Sequence, residues 1–286
     1  MKKILVIGSK GMAGHVIYRY LTQLNTYQVY GVARNVENSD RIFNLDVINT
    51  NSLNKVFELK FDIIINCIGV LTKDAEDNPE KAIWFNSYFP HYLERVTKNT
   101  NTKVISISTD CVFSGDKGDY TENDFKDGQG FYAQSKALGE IVNTKDLTIR
   151  TSILGPEMNK NGIGLFHWFM NQTGQINGYS CAYWSGITTI ELAKAINQII
   201  LQDLTGLITL AASPKIDKYN LLNLLNLQFR NGSIKINSDS KYKVDKSMVS
   251  IRSDFNYEIP NYETMILEMR DWIKNNGTIY NYNILS

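Results

Sequence analysis

Short apolar runs of strand length alternate with helical patterns over residues 1–155, and this predicts an α/β protein built on a doubly wound parallel sheet. Two further observations support that fold class. A glycine triplet lies between the first strand and the first helix, and small or polar residues stand at five strand ends: Gly8, Arg34, Gly69, Thr109 and Thr151. Open parallel sheets bind ligands beyond the carboxyl ends of their strands, so the five ends together mark a site. A chain of 286 residues is long enough to bury a large α/β core and a smaller lobe beside it.

Composition narrows the function classes. The chain has 30 Lys and Arg against 29 Asp and Glu, a formal net charge of +1, and no long block of one sign. A general nucleic-acid binder would show a basic footprint, so no nucleic-acid partner is expected. Cys67, Cys111 and Cys181 lie far apart without CxxC spacing, which predicts neither a disulfide framework nor a zinc site. His15, His91 and His167 are scattered, so no metal is expected. No apolar run approaches the length of a membrane span. Met-Lys-Lys leads straight into a strand and a glycine motif, unlike a signal peptide. These features predict a soluble cytoplasmic protein with no membrane contact.

In chain order, residues 3–7 (KILVI) read as a parallel strand buried on both faces. Gly8-x-x-Gly11-x-x-Gly14 follows, then a helical pattern through Val16, Ile17, Tyr20, Leu21 and Leu24. Gly8 permits the tight turn, Gly11 brings backbone N–H groups to a pyrophosphate, and Gly14 lets the helix approach the sheet. Met12 and Ala13 open that helix and share the phosphate-binding expectation. The motif's place after a strand and before a helix predicts dinucleotide binding and a Rossmann-type sheet.

The second strand, 28–33, ends at Arg34 with no carboxylate at its end. An arginine there suits a 2′-phosphate, which favours NADP(H) and leaves NAD(H) open. The short strand 41–47 carries Asp46, which accepts from an adenine amino group or starts a turn, and Val47 beside it, and a helix is expected over 51–59. The buried strand 61–69 opens into a small-residue turn, so Cys67, Ile68 and Gly69 are expected against the cofactor and Val70 against the substrate. Cys67 reads as a packed small hydrophobe. Residues 73–81 read as a charged, solvated loop, and the next helix carries Asn86 among aromatic residues, as either a cofactor contact or a surface amide.

The chemistry concentrates in residues 105–141. A strand over 104–107 stops at Ser108-Thr109-Asp110, a polar loop follows, and Tyr132 and Lys136 open a helix four residues apart, on one face. An ammonium beside a phenol favours the phenolate. A tyrosine so tuned, with a strand-end hydroxyl aimed at the same place, suits proton transfer to a carbonyl oxygen.

A strand over 147–154 is expected next, and beyond Gly155 the character changes. A helix begins at residue 165, strand-like residues cover 176–179, and further helices are expected over 189–201, 221–227 and 262–274, with a strand at 207–211 and short strands after the 221–227 helix. Residues 1–155, joined by about 186–211, are assigned to the dinucleotide-binding domain, and 156–185 with 212–286 to a substrate-binding lobe. Trp168, Tyr183 and Trp184 pack a core or wall the substrate pocket.

The glycine triplet, Ser108-Thr109-Asp110-x-Val112-Phe113-x-Gly115, Tyr132-x-x-x-Lys136 and Gly139-Glu140 together resemble the extended short-chain dehydrogenase/reductases, in particular their dTDP-4-dehydrorhamnose reductase branch. The likeness is specific over residues 1–155; later, Arg150-Thr151-Ser152 and Gly186-x-Thr188-x-x-Glu191 match in layout. The resemblance implies reduction of the C4 ketone of a nucleotide-linked 4-keto-6-deoxysugar, for polysaccharide precursors. It places Thr109, Tyr132 and Lys136 in catalysis, with Tyr132 and Lys136 also on the cofactor. It puts Val70, Thr109, Asp110, Cys111, Tyr132, Thr151, Ser152 and Trp184 on the substrate, and a homodimer is compatible with it. Cys111 stands where the branch usually has tyrosine, and Ala133 where it usually has glycine. The change at 111 removes a phenol from the sugar side, which leaves a related sugar open, including a UDP-linked 2-acetamido-2,6-dideoxy-4-ketohexose. A 4,6-dehydratase would carry Asp-Glu straight after the threonine, and Asp110-Cys111 does not. An epimerase, or a non-enzymatic subunit like the regulatory subunit of methionine adenosyltransferase, remains open.

Overall fold

The computed structural model describes residues 1–284. β1 (Lys2–Ile7) is apolar on both sides, with Ile4, Leu5, Val6 and Ile7 fully buried, as a central parallel strand requires. There follow α1 (Met12–Gln23), β2 (Tyr27–Ala33), β3 (Ile42–Asn44), α2 (Thr50–Phe57), β4 (Ile63–Asn66), α3 (Thr72–Asp77) and α4 (Pro79–Ala82). A π-helical stretch, Ile83–Tyr88, leads into α5 (Phe89–Thr97), and then come β5 (Lys103–Ile107), α6 (Gly130–Leu138), β6 (Leu147–Arg150) and β7 (Ile153–Leu154). The remainder comprises α7 (Leu165–Met170), β8 (Gln175–Trp184), β9 (Ile187–Thr188), α8 (Thr189–Gln202), β10 (Gly206–Thr209), β11 (Ile216–Asp217), α9 (Lys218–Arg230), β12 (Lys235–Asp245) and α10 (Tyr262–Asn275).

Two compact units result. One holds Met1–Ser108, Gln129–Ile149 and Ile199–Ile208; the other holds Thr109–Gly128, Arg150–Gln198 and the chain from Thr209. The first unit is organised by a seven-stranded sheet in the order β3-β2-β1-β4-β5-β6-β10, with parallel pairings from β3 to β6. The order reverses at β1, which has β2 on one side and β4 on the other. This is a Rossmann-type doubly wound sheet, and the reversal creates the crevice where such sheets bind ligands. Leu5, Ile7, Ile64, Val104, Phe85, Phe89 and Leu93 belong to its buried core.

The second unit carries a three-stranded sheet, β11-β8-β12, and the short pair β7-β9. Phe166 of α7 meets Phe229 of α9 edge to face at 4.7 Å, and α10 buries Met265, Ile266, Met269 and Ile273. Residues 109–128, which the sequence groups with the dinucleotide-binding part, pack in this unit. Tyr120 bridges to Met248, Phe113 stacks on Tyr120 at 4.2 Å, and the Arg150 guanidinium lies 5.2 Å from the Phe113 ring centre.

Three local expectations differ from the structure. Residues 73–81 are largely helical, in α3 and α4: Lys73 pairs with Asp77 one turn on, Asn78 bonds to Asp74, and Pro79 starts α4. The charged residues there line a solvated helix face, which composition cannot distinguish from a loop. The strand expected over 147–154 splits at Thr151-Ser152, and β7 leaves the main sheet to pair with β9. The strand-like 176–179 runs on to Trp184 because β12 pairs along its length, shifting register between Asp239 and Lys243. No described helix is long and apolar enough to cross a membrane.

Candidate active site

The glycine loop is set by backbone bonds. The N–H groups of Gly8 and Ser9 both donate to the Val32 carbonyl (2.9 and 3.0 Å), and Gly11 N–H closes the turn on Gly8 O at 2.9 Å. Gly8 has φ +85°, a region glycine enters without steric cost. A Cβ on Gly14 would fall 2.1 Å from Gly8 O, so α1 sits against the loop as only glycine allows. Gly11 caps α1 and offers no side chain to its first turn, so the N–H groups of Met12, Ala13 and Gly14 suit an anion. An uncapped first turn that follows a tight glycine loop fits a dinucleotide pyrophosphate. His15 lies below, its Nδ1–H donating to Gly11 O at 2.8 Å; burial pushes its pKa down to about 4, so it is neutral at pH 7. Gly14→Ala is expected to destabilise the fold by about 1–3 kcal/mol through overpacking and to weaken dinucleotide binding; thermal melts and a fluorescence titration with NADPH check both.

At the end of β2, Arg34 pairs with Asp46 at 3.3 Å, and both side chains are exposed. Such a pair contributes under about 1 kcal/mol, so a phosphate can compete for the guanidinium. The Asp46 carboxylate also accepts from Ile48 N–H at 3.1 Å, and Val47 beside it is buried. Lys10, which the sequence reading passes over, reaches the carbonyl of Asn35 at 3.0 Å and adds a second cation at this strand end.

Next along the crevice, β4 leads into Cys67, Ile68 and Gly69. Cβ atoms built on Gly8 and Gly14 would meet Cys67 at 3.3 Å, and one on Gly8 would meet Ile68 at 3.0 Å, so the two turns adjoin. Desolvation pushes the Cys67 thiol up to about 12, which keeps it protonated and inert. Asn86 sits in the π-helical stretch, a geometry frequent at functional sites. Its Oδ1 accepts from Val70 N–H (2.8 Å), and its Nδ2 donates to Val70 O (3.0 Å) and to Ser135 Oγ (3.1 Å). Asn86 therefore holds the Gly69-Val70 turn onto α6.

α6 supplies Tyr132 and Lys136. Gly130 begins it at φ +86°, where a Cβ would strike the Glu76 carboxylate, and that carboxylate accepts from Tyr132 N–H at 3.1 Å. Lys136 is buried, and its ammonium donates to Ile107 O, at the carboxyl end of β5, at 2.6 Å. A Cβ on Gly69 would be 4.0 Å from the same nitrogen. Burial pushes Lys136 down to about 8, opposed by the charge of Glu140. Glu140 lies one turn on, buried, and accepts from Ser108 Oγ at 2.8 Å.

The second unit carries most of the expected sugar-side residues; Val70 and Tyr132 belong to the first. Thr109 Oγ1 donates to Asp110 Oδ1 (2.9 Å) and accepts from Cys111 N–H (3.1 Å), capping the short 3₁₀ turn Asp110–Val112. Burial and the Asp110 charge push the Cys111 thiol up to about 12. Thr151 is buried, its hydroxyl donating to Ser152 O at 3.3 Å, and Ser152 O also takes Ile187 N–H at 2.8 Å. Trp184 is 5% exposed and lies 5.8 Å from the Tyr262 ring. Among the described residues, no group of three or more His, Cys, Asp or Glu could hold a metal ion.

Residues 1–209 match the family described as the RmlD substrate binding domain. The chain belongs to that family. Among curated relatives, this RmlD-family chain is 32% identical over 160 residues to the spore coat polysaccharide biosynthesis protein SpsK of Bacillus subtilis (strain 168), covering 53% of each chain. It is 27% identical over 170 residues to a dTDP-4-dehydrorhamnose reductase of Aggregatibacter actinomycetemcomitans, covering 56% of this chain and 54% of that one. The chain spans about half the length of the curated relatives it matches. Among solved structures, a dTDP-4-dehydrorhamnose reductase from Bacillus anthracis str. Ames in complex with NADP shares the fold, with TM-score 0.80 and 20% identity over 96% of this chain and 99% of that one. Glu76, Ser135 and Glu140 are absent from the sequence-derived site. Gly139-Glu140 stands in the family motif, but nothing local indicates that Glu140 meets Ser108 and Lys136.

Proposed function

We propose that this chain is an NADP(H)-dependent reductase acting on the C4 ketone of a nucleotide-linked 4-keto-6-deoxysugar, a step in making surface polysaccharide precursors. The observation that carries the reading is the buried Lys136 ammonium, tied to the Ile107 carbonyl beside the Gly69 turn and one helical turn from Tyr132. A buried cation without an ion-pair network is costly to hold, and one helical turn from Tyr132 this one would serve its phenol. Gly8, Gly11, Met12, Ala13 and Gly14 would hold the pyrophosphate, with Arg34 and Lys10 available to a 2′-phosphate. The Cys67-Ile68-Gly69 turn, held by Asn86, would flank the nicotinamide end. Bound there, the reduced nicotinamide supplies the hydride.

Within that reading Tyr132 donates its proton to the oxygen of the reacting carbonyl, and Lys136 stabilises the phenolate left behind. Thr109, whose hydroxyl donates to Asp110 in this structure, is the second donor that the resemblance assigns to that oxygen. A donor aimed at developing negative charge contributes about 10²–10³ in rate. Similarity to a dTDP-4-dehydrorhamnose reductase and to a spore coat polysaccharide biosynthesis protein supports the substrate class. Cys111, in place of a tyrosine, points to a sugar other than the rhamnose precursor.

NADPH absorbance measured against a panel of dTDP- and UDP-linked 4-keto sugars tests the reading. Net oxidation with one of them is expected. Product without oxidation would make the chain an isomerase, and binding without turnover would make it a regulatory module.

A further inference from the structure

Lys218 opens α9, two residues beyond the β11–β8 pairing of Ile216 with Trp184. That register carries its side chain over the indole, with Nζ 4.4 Å from the Trp184 ring centre. The indole itself is confined. It is 5% exposed, Tyr262 donates its hydroxyl to the Trp184 carbonyl at 3.2 Å, and a Cβ on Gly186 would strike the ring at 2.2 Å. Among the described residues, no hydrogen bond or ion pair satisfies the Lys218 ammonium. The Asp110 carboxylate reaches it only as a through-space charge. Burial pushes its pKa down to about 8, and the Asp110 charge opposes the shift.

A lysine that served packing alone would lay its stem on the apolar surface and extend its ammonium into water. This one is half-buried and lays its charge over an aromatic face, beside the two residues that directly follow Thr109. A cation–π contact offsets part of the desolvation, and a hydrogen-bond acceptor would offset more. We infer that Lys218 is a substrate-recognition residue: its ammonium donates to an oxygen on the sugar ring of the nucleotide sugar, with Trp184 as the platform beneath it. The inference rests on the reading under Proposed function. It changes the role expected of Trp184, whose face is taken by the lysine and does not stack on the sugar. Asp110, an acceptor near the same ammonium, suits a sugar hydroxyl that accepts from Lys218 and donates to the carboxylate.

Steady-state kinetics and calorimetry on the full chain test this, using Lys218→Met, Lys218→Gln and Trp184→Phe. Losing a charged hydrogen bond should raise KM for the turned-over nucleotide sugar roughly ten- to a hundredfold in both Lys218 variants. The dissociation constants of NADPH and of UDP and dTDP should stay within about threefold of wild type, since an experimental factor of that size is under 1 kcal/mol. Trp184→Phe keeps an aromatic face under the cation and should change KM less than either Lys218 variant. An unchanged KM in the Lys218 variants overturns the inference while the reductase reading stands. Equal weakening of UDP or dTDP and the nucleotide sugar overturns it too, by moving the contact to the diphosphate. A larger effect from Trp184→Phe would restore the indole as the sugar's wall and also overturn it. Should wild type turn over no nucleotide sugar, the reductase reading falls and this inference with it.

Discussion

Tyr132→Phe is expected to lower kcat by at least about 10², the low end of what a positioned acid contributes, while NADPH binding changes little. The substitution removes one oxygen and leaves the ring, which is partly buried and packs against the first unit's core. The geometry that positions this residue lies in its backbone. Its N–H is held by Glu76, and Gly130 turns the chain into α6 at a φ that a side chain would resist. Neither depends on the hydroxyl, so the variant should keep α6 and its entry turn in place. Single-turnover kinetics at saturating NADPH separate the chemical step from binding. Near-normal turnover would remove Tyr132 from the acid role, and a loss confined to KM would make its hydroxyl a binding group.

How much of this was legible in the sequence depends on how local the cause is. β1, the Gly8-Gly11-Gly14 turn and α1 are contiguous, and each is specified by its own residues, so they could be read directly. Tyr132 and Lys136 share a helix face at fixed spacing, so their relation was legible too. What surrounds them was not. Glu76 and Gly130 meet across 54 positions of chain, as do Ser108 and Glu140 across 32; such pairs follow from the strand order, and no periodicity announces them. β8 looked short because the strand that pairs along it, β12, lies about 60 residues away. Residues 73–81 looked like a loop because the i,i+4 pairs that support a helix there have the same composition as a solvated loop. Lys218 was invisible for the first of these reasons: only the pairing of β11 with β8 carries it to Trp184.

Activity and one contribution to stability are expected to move in opposite directions above about pH 8, both through Lys136. In the direction of ketone reduction Tyr132 must hold its proton and Lys136 its charge, and raising pH removes both. With burial holding Lys136 at about 8, kcat/KM should fall as pH rises through that value, as a limb belonging to the coupled pair. Glu140 opposes the depression of the lysine, so Glu140→Gln, which still accepts from Ser108, should move the limb to lower pH by on the order of one unit. Lys136→Met should lower kcat by at least about 10², since the phenolate then forms without its cation. Lys136→Arg, charged at every accessible pH, should replace the limb near 8 with one set by Tyr132 alone, even if its rate is lower. A limb that stays in place in Glu140→Gln would assign it to another group. The stability contribution has the other sign. A lysine whose folded pKa lies below its ordinary 10.5 binds its proton more weakly in the folded than in the unfolded state. At neutral pH that costs the fold about 3 kcal/mol, and the cost is relieved as pH climbs from about 8 towards 10.5. Thermal melts across that window should therefore show this cost relieved in wild type but not in Lys136→Met, while wild-type turnover declines. A site that holds a cation where burial disfavours it sacrifices stability for chemistry, and the paired pH profiles measure both sides of that exchange on one residue.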